Sequence, residues 1–289
     1  MRTGPLIDGG NASRIRCLRT IVLVLAFGML AACKTSPDAI NAANQLTSVA
    51  QQLSAYYGDL EQQVTDTVSL NEIQAGLLGV TFDDSDHAQL DTTREELAKR
   101  ADMAKALGTL ASAYAALAGS KAGADVGTAM SGLASDCSSI QGLPGGPAIP
   151  DAIAQASQAL VEAIRKHKLK QSSVKVAQMV DAIQQLFAKE APTYQSINRQ
   201  RIVLAESLAN LMVEKGMVDL NSSLAPALKP FGLNASLPSG QPTTEVRQLA
   251  EAEIKSNGDA EISNYQASTR ALSNSLAAAA KQVKAVSQQ

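Results

Sequence analysis

Apolar residues recur along most of this chain at intervals of three and four, the spacing that places side chains on one face of an α-helix. Ser36-Pro37-Asp38 reads as a helix start, followed by Leu46, Val49, Leu53, Tyr56 and Leu60 on a common face, with the pattern fading near Gly76 and Gly79. Thr92 and Glu95 form a capping-box pattern ahead of a second stripe, Met103, Leu107, Leu110, Tyr114 and Leu117. The alanines between these large residues, Ala104, Ala106, Ala111, Ala113 and Ala115, narrow that helix and predict close packing with a neighbour. Gly119, Gly123 and Gly127 then fall four residues apart, which reads as a weakened or broken helix, because glycine costs about 1 kcal/mol in a helix interior.

The stretch Gly142 to Pro150, GLPGGPAIP, ends any helix and reads as a linker. Beyond it, Ile153, Ala156, Leu160 and Ile164 predict a helix to about His167, and Val174, Ala177, Val180, Ile183 and Phe187 predict the next. Pro192 is expected to restart a third helix carrying Ile197, Leu204, Leu208 and Leu211, closed by Gly216. Pro226, Pro230, Pro238 and Pro242 exclude a regular helix over 221–242, a long connection that nevertheless carries Leu224, Leu228, Phe231 and Leu233. After Ser256-Asn257-Gly258, a last segment places Ile262, Tyr265, Thr269, Leu272, Leu276, Ala279, Val283 and Val286 in three-four alternation, the seam of a helix that expects a partner. No period-two run stands out. The expectation is an all-α fold, an antiparallel bundle of about six or seven helices.

The first apolar run is different. Ile21 to Ala32 would rise only about 18 Å as a helix, against the roughly 20 residues that a bilayer core requires. Arg14, Arg16 and Arg19 precede it and small residues close it, the layout of a cleavable secretory signal. Leu30-Ala31-Ala32-Cys33 resembles the lipobox of bacterial lipoproteins. That resemblance covers only the N-terminal 37 or so residues, and the long basic region before the apolar run departs from it. It implies cleavage between Ala32 and Cys33, acylation of Cys33 with diacylglycerol and a further chain such as palmitate, and attachment to the membrane through that lipid. Lys34 in place of the aspartate that retains such proteins in the inner membrane of enterobacteria points to the outer membrane, with the domain in the periplasm.

The organisation expected on these grounds is a signal peptide over 1–32, a lipid-anchored tether over 33–37, an N-terminal helical part over 38–140, a Gly/Pro linker over 141–150 and a C-terminal helical part over 151–289. Cleavage removes Arg2, Arg14, Arg16, Arg19 and Asp8, which takes the net charge from −2 to −5 and leaves no general electrostatic reason to bind nucleic acid. Cys17 goes with the signal and Cys33 is acylated, so Cys137 is left as a single thiol, expected to be buried. Aromatic residues make up 3% of the chain and tryptophan is absent, which disfavours a stacking surface.

Candidate chemistry is sparse. Asp83, Asp84, Asp86 and His87 have the ligands for a hard cation but lack the glycine and distal glutamate of an EF-hand loop, and Asp and Ser ahead of a helix serve as caps. No zinc spacing, P-loop, nucleophile elbow or dinucleotide fingerprint occurs, so neither a metal, a cofactor nor an enzymatic activity is expected. The basic run Arg165, Lys166, Lys168 and Lys170 is a candidate anion contact, although cations at a helix end also complement its dipole. Ile262, Leu272, Leu276 and Phe231 are candidate interaction residues. The resulting expectation is a non-catalytic, lipid-anchored structural or interaction module that engages an envelope partner or itself. The alternative is a binding protein for an apolar or lipidic ligand held between alanine-lined helices.

Overall fold

The computed structural model describes residues 37–119, 124–146, 169–215 and 244–288. Every regular element among them is an α-helix: α1 (Pro37–Leu78), α2 (Asp84–Ala118), α3 (Ala124–Ser139), α4 (Leu169–Glu214) and α5 (Thr244–Gln288). The all-α expectation therefore holds, with five helices among the described residues. None of them is long and apolar enough to cross a membrane.

Two expected breaks do not occur, while the helix expected to about His167 and the Pro-rich connection over 221–242 lie outside the described residues. Pro192 lies inside α4. Proline deprives the carbonyl four residues earlier of its N–H partner, but Ala188 and Pro192 are both solvent-exposed, so water reaches the carbonyl left over. Gly258 lies inside α5 and is buried; a Cβ there would run into Ile202 and the Glu206 carboxyl group of α4. The missing side chain lets α4 and α5 approach, and that contact offsets the poor helix propensity of glycine.

The start of α2 is also earlier than the Thr92–Glu95 pattern implies. Asp83 is the N-cap, its carboxylate accepting from the Ser85 N–H at 2.8 Å, with Asp84 and Asp86 in the first turn where acids complement the dipole. Thr92 is interior and its hydroxyl donates to the Ala88 carbonyl at 2.8 Å. At the end of α1, Gly79 takes φ +70°, and the Gly79 and Val80 N–H groups bond the Gly76 and Ala75 carbonyls at 3.3 and 3.0 Å, a Schellman termination. The glycine run is divided: Gly119 caps α2, Gly127 belongs to α3, and Gly123 lies outside the described residues.

Residue pairings give the helix directions. Ala50 lies where a Cβ on Gly108 would touch it at 3.6 Å, and Glu72 meets His87, so α1 and α2 are antiparallel. Tyr57 meets Tyr194, Gln63 meets Asn198 and Gln74 meets Ser207, so α4 runs parallel to α1. Arg201 pairs with Glu261 and Gly258 abuts Ile202, so α5 is antiparallel to α4. The helix α3 packs on α2.

The core follows a 3.5-residue repeat. Leu46, Ala50, Leu53, Tyr57, Leu60 and Val64 on α1, and Thr269, Leu272, Leu276, Ala279, Val283 and Val286 on α5, alternate by four and three and are all buried. Because an α-helix has 3.6 residues per turn, such a repeat faces its neighbours continuously only when the helices coil left-handedly around each other.

Candidate functional site

Several residues singled out in the sequence, Ala32, Cys33, Arg165, Lys166, Lys168 and Phe231, lie outside the described residues. Lys170 occupies the first turn of α4. Leu272 and Leu276 are buried in the core of this chain, while Ile262 is half-buried. The Asp83–His87 cluster caps α2: His87 sits against the Phe82 ring, with centroids 4.3 Å apart, and 3.8 Å from the Glu72 carboxylate. Among the described residues, no three His, Cys, Asp or Glu side chains gather in a way that would hold a metal ion.

The densest chemistry is elsewhere, in the middle of the bundle. Arg100 of α2 and Glu190 of α4 are 0% and 1% exposed. The guanidinium donates from Nε to Glu190 Oε2 at 2.9 Å and from Nη2 to Glu190 Oε1 at 2.6 Å. Nη2 also donates to the Gln141 carbonyl at 2.7 Å, while Nη1 donates to the Glu96 carbonyl at 2.8 Å and to Glu96 Oε2 at 3.3 Å. Arginine has five N–H donors, and the five bonds account for all of them. A charge removed from water is tolerated only under such complete pairing.

The partners are satisfied in turn. Glu96 Oε2 accepts the Gln141 N–H at 2.7 Å and Glu96 Oε1 accepts from Lys99 at 2.6 Å. Glu96 and Arg100 thus hold both the N–H and the C=O of Gln141, which fastens the chain leaving α3 to α2. Tyr194 donates to Glu190 Oε2 at 2.5 Å and lies 3.3 Å from the Tyr57 hydroxyl. Burial opposes the charge of Arg100, but the hydrogen bond and attraction of Glu190 prevail and raise its pKa above the ordinary guanidinium value. Burial likewise works against ionised Glu96, and the bonds from Lys99 and the Gln141 N–H outweigh it, so its pKa is lowered.

An aromatic cluster adjoins this layer. Tyr56 packs edge-on against Phe187 and Tyr194, with centroids 5.3 and 5.8 Å apart, and stacks on Tyr265 at 5.4 Å. The Tyr56 and Thr269 hydroxyls are 2.9 Å apart. Thr269 donates its own proton to the Tyr265 carbonyl at 2.9 Å, so Tyr56 is the donor to Thr269, a bond that ties α1 to α5.

Arg100 and Glu190 were not among the residues the sequence nominated. Their signal is positional: Arg100 is three residues after Leu97 and seven before Leu107, and Glu190 is three after Phe187, so both occupy seam positions of otherwise apolar stripes. Sealed from solvent, the cluster can bind helices to one another in a fixed register, and it presents no proton donor or nucleophile to a ligand.

An open concavity lies along α1 and α4. A groove of about 740 Å³ is bounded by α1, the first turns of α2, the C-terminal half of α4 and the Pro144-Gly145 turn. Val64, Leu90, Ile197 and Leu204 line it together with Asn71, Gln89 and Gln200; Asp86 is its one charged residue. Two further grooves continue it toward the end of α4, sharing Ser196, Gln200 and Leu204 at one junction and Gln74, Val203 and Ser207 at the next. No protein-family model matches this chain, and no curated protein and no solved structure matches it either.

Proposed function

We propose that this protein is a non-catalytic, lipid-anchored helical module of the bacterial envelope, held through acylated Cys33 in the outer membrane and projecting into the periplasm, where it serves a structural or interaction role. The observation that supports this most is the use the protein makes of its charged core groups: Arg100, Glu96 and Glu190 are consumed in bonds between α1, α2, α4 and the end of α3. Groups so committed favour a rigid rod over a reactive pocket. The rod is long, since α1 alone has 42 residues, about 63 Å at 1.5 Å per residue. Pro37 follows Cys33 by four positions, so the anchor would hold the Pro37 end of the bundle nearest the lipid.

The reading with an apolar ligand between alanine-lined helices has less support. Ala50, Ala55, Ala104 and Gly108 do line a depression of about 570 Å³ between α1 and α2, but it is an open surface groove shared with the exposed polar side chains Gln51, Lys105 and Thr109 rather than an apolar space between helices. The test has two parts. Palmitate should label the protein, and Cys33→Ser should abolish both labelling and sedimentation with outer-membrane fractions. Photo-crosslinkers at exposed positions around the rod should give discrete adducts with an envelope protein or with a second copy; a protein that stays unlabelled, or forms no adduct from any face, defeats the reading.

A further inference from the structure

We propose that the trough along the C-terminal halves of α1 and α4 is the docking site for a basic amphipathic helix of a partner protein, which rests on the interaction reading above and names the chemistry of the partner. The three grooves share lining residues and so form one depression from Pro192 to Glu214. Those 22 steps along α4 cover about 33 Å, the length of a helix of roughly 22 residues. Its walls are two parallel helices joined by the Gln74–Ser207 hydrogen bond at 3.0 Å, and a third helix seats between two others by laying its apolar face into such a groove. Leu78 and Val203 on the walls are 55% and 51% exposed, aliphatic side chains left open to a partner.

Charge selects the kind of helix. The trough is lined by Asp86, Glu206, Glu214 and Glu251 against Arg199 alone. In the groove nearest the end of α4, three of those carboxylates share the lining with Asn210, whose Oδ1 is buried and has no hydrogen-bond partner. Acceptors without donors beside exposed aliphatic residues suit lysine or arginine flanking a leucine-rich stripe.

Two segments of the chain are the rival occupants that the test separates from a partner. Residues 147–168 follow the Pro144-Gly145 turn that lines the trough and carry Arg165, Lys166 and Lys168. Residues 216–243 start at its far end, but four prolines bar a continuous helix there and Lys229 is the single basic residue to meet the carboxylates.

The test uses the full mature chain with Cys33→Ser and two fluorescent 21-residue peptides, three repeats of Lys-Leu-Leu-Lys-Leu-Leu-Lys and the same sequence with glutamate for lysine. The lysine peptide should bind at least tenfold more tightly than the glutamate peptide. Leu78→Asp with Val203→Asp should weaken it at least tenfold, with the helical circular dichroism retained. Glu214→Lys with Glu251→Lys, both exposed, should reverse the preference, which decides the matter even if the first pair fails to fold. Equal binding of both peptides, no reversal on charge inversion, or binding that appears only after residues 147–168 or residues 221–242 are replaced by a glycine-serine linker would each overturn the proposal, the last by showing that a segment of this chain fills the trough. Discrete crosslinked adducts from other faces would in that event leave the interaction reading standing.

Discussion

Arg100 and Glu190, ninety residues apart in sequence, meet as a two-pronged ion pair in the middle of the bundle, with both side chains sealed from water. Such a pair is a weak source of net stability, because each charge loses its hydration on burial. Removing one partner is a different matter. Arg100→Met leaves the Glu190 and Glu96 carboxylates and the Gln141 carbonyl facing an apolar side chain, and should destabilise by about 3–5 kcal/mol in urea unfolding. Glu190→Leu should cost a similar amount. The double variant should be far less damaged than the sum of the two, a coupling that identifies the pair as a register device; additive losses would show instead that the two act independently.

Alkaline pH should unfold this protein through its tyrosines. All five are raised above the ordinary value near 10, chiefly by burial, with Tyr56 pushed up to about 12. A raised pKa means that between pH 10 and 12 the folded state keeps protons that the unfolded state releases. Stability from these groups is complete below pH 10 and is lost as pH rises through their raised values, for Tyr56 by about 1.4 kcal/mol per pH unit between 10 and 12. Tyrosinate absorbance at 295 nm and loss of helical circular dichroism should therefore rise together in one transition. Tyrosine ionisation well before the loss of helix would contradict the buried cluster.

The fold class was legible because every long seam is a simple periodic pattern, and Leu46, Leu53 and Leu60 needed no tertiary knowledge to place. What was not legible depended on neighbours distant in sequence. Pro192 reads as a helix start by its local chemistry, and only its exposed position in α4 explains why the helix continues. Gly258 reads as a stop until Ile202 and Glu206 are found against it. Glu96 and Arg100, four apart, look like an ordinary surface pair. Their burial follows from Glu190 and Gln141, which no local pattern connects to them. The trough was equally hidden, since it exists only where α1 and α4 run side by side.

Cys137 should be chemically silent in the folded protein. It is buried, its thiol lies 3.9 Å from the Met179 sulfur, and burial first, with Asp136 adding to it, pushes its pKa up to about 12. The thiolate is the reactive form, so an aromatic disulfide reagent should label Cys137 slowly at pH 8 and rapidly in denaturant. Fast labelling of the native protein would mean that α3 is not docked as described. Cys137→Ser, which places a stronger hydrogen-bonding group beside Met179, should cost about 1–3 kcal/mol.

Termination of α1 offers a cleaner probe of backbone conformation. Gly79 sits at φ +70° with nothing near enough to touch an added Cβ. Gly79→Ala should therefore lower stability by about 1 kcal/mol through backbone strain alone, and Gly79→Asn, which tolerates this region better, should lose less. Equal effects from both would argue against the left-handed cap.

The last prediction concerns Leu272 and Leu276 on α5, whose three-four spacing demanded a partner helix that could have lain in this chain or in another. Both are buried among this chain's own helices, one and two turns beyond the Tyr56–Thr269 bond that fixes α5 to α1. Truncating a buried leucine to alanine costs about 2–5 kcal/mol, through lost apolar burial and the cavity left behind. Leu272→Ala with Leu276→Ala should accordingly lower the melting temperature sharply, with sedimentation showing no change in association state before unfolding. If the seam served a second copy instead, the monomer would melt almost as before while an assembly disappeared from the sedimentation profile. Ile262, half-buried and nearer the start of α5, supplies the internal control: Ile262→Ala should cost less than either leucine, because less of its surface leaves water on folding.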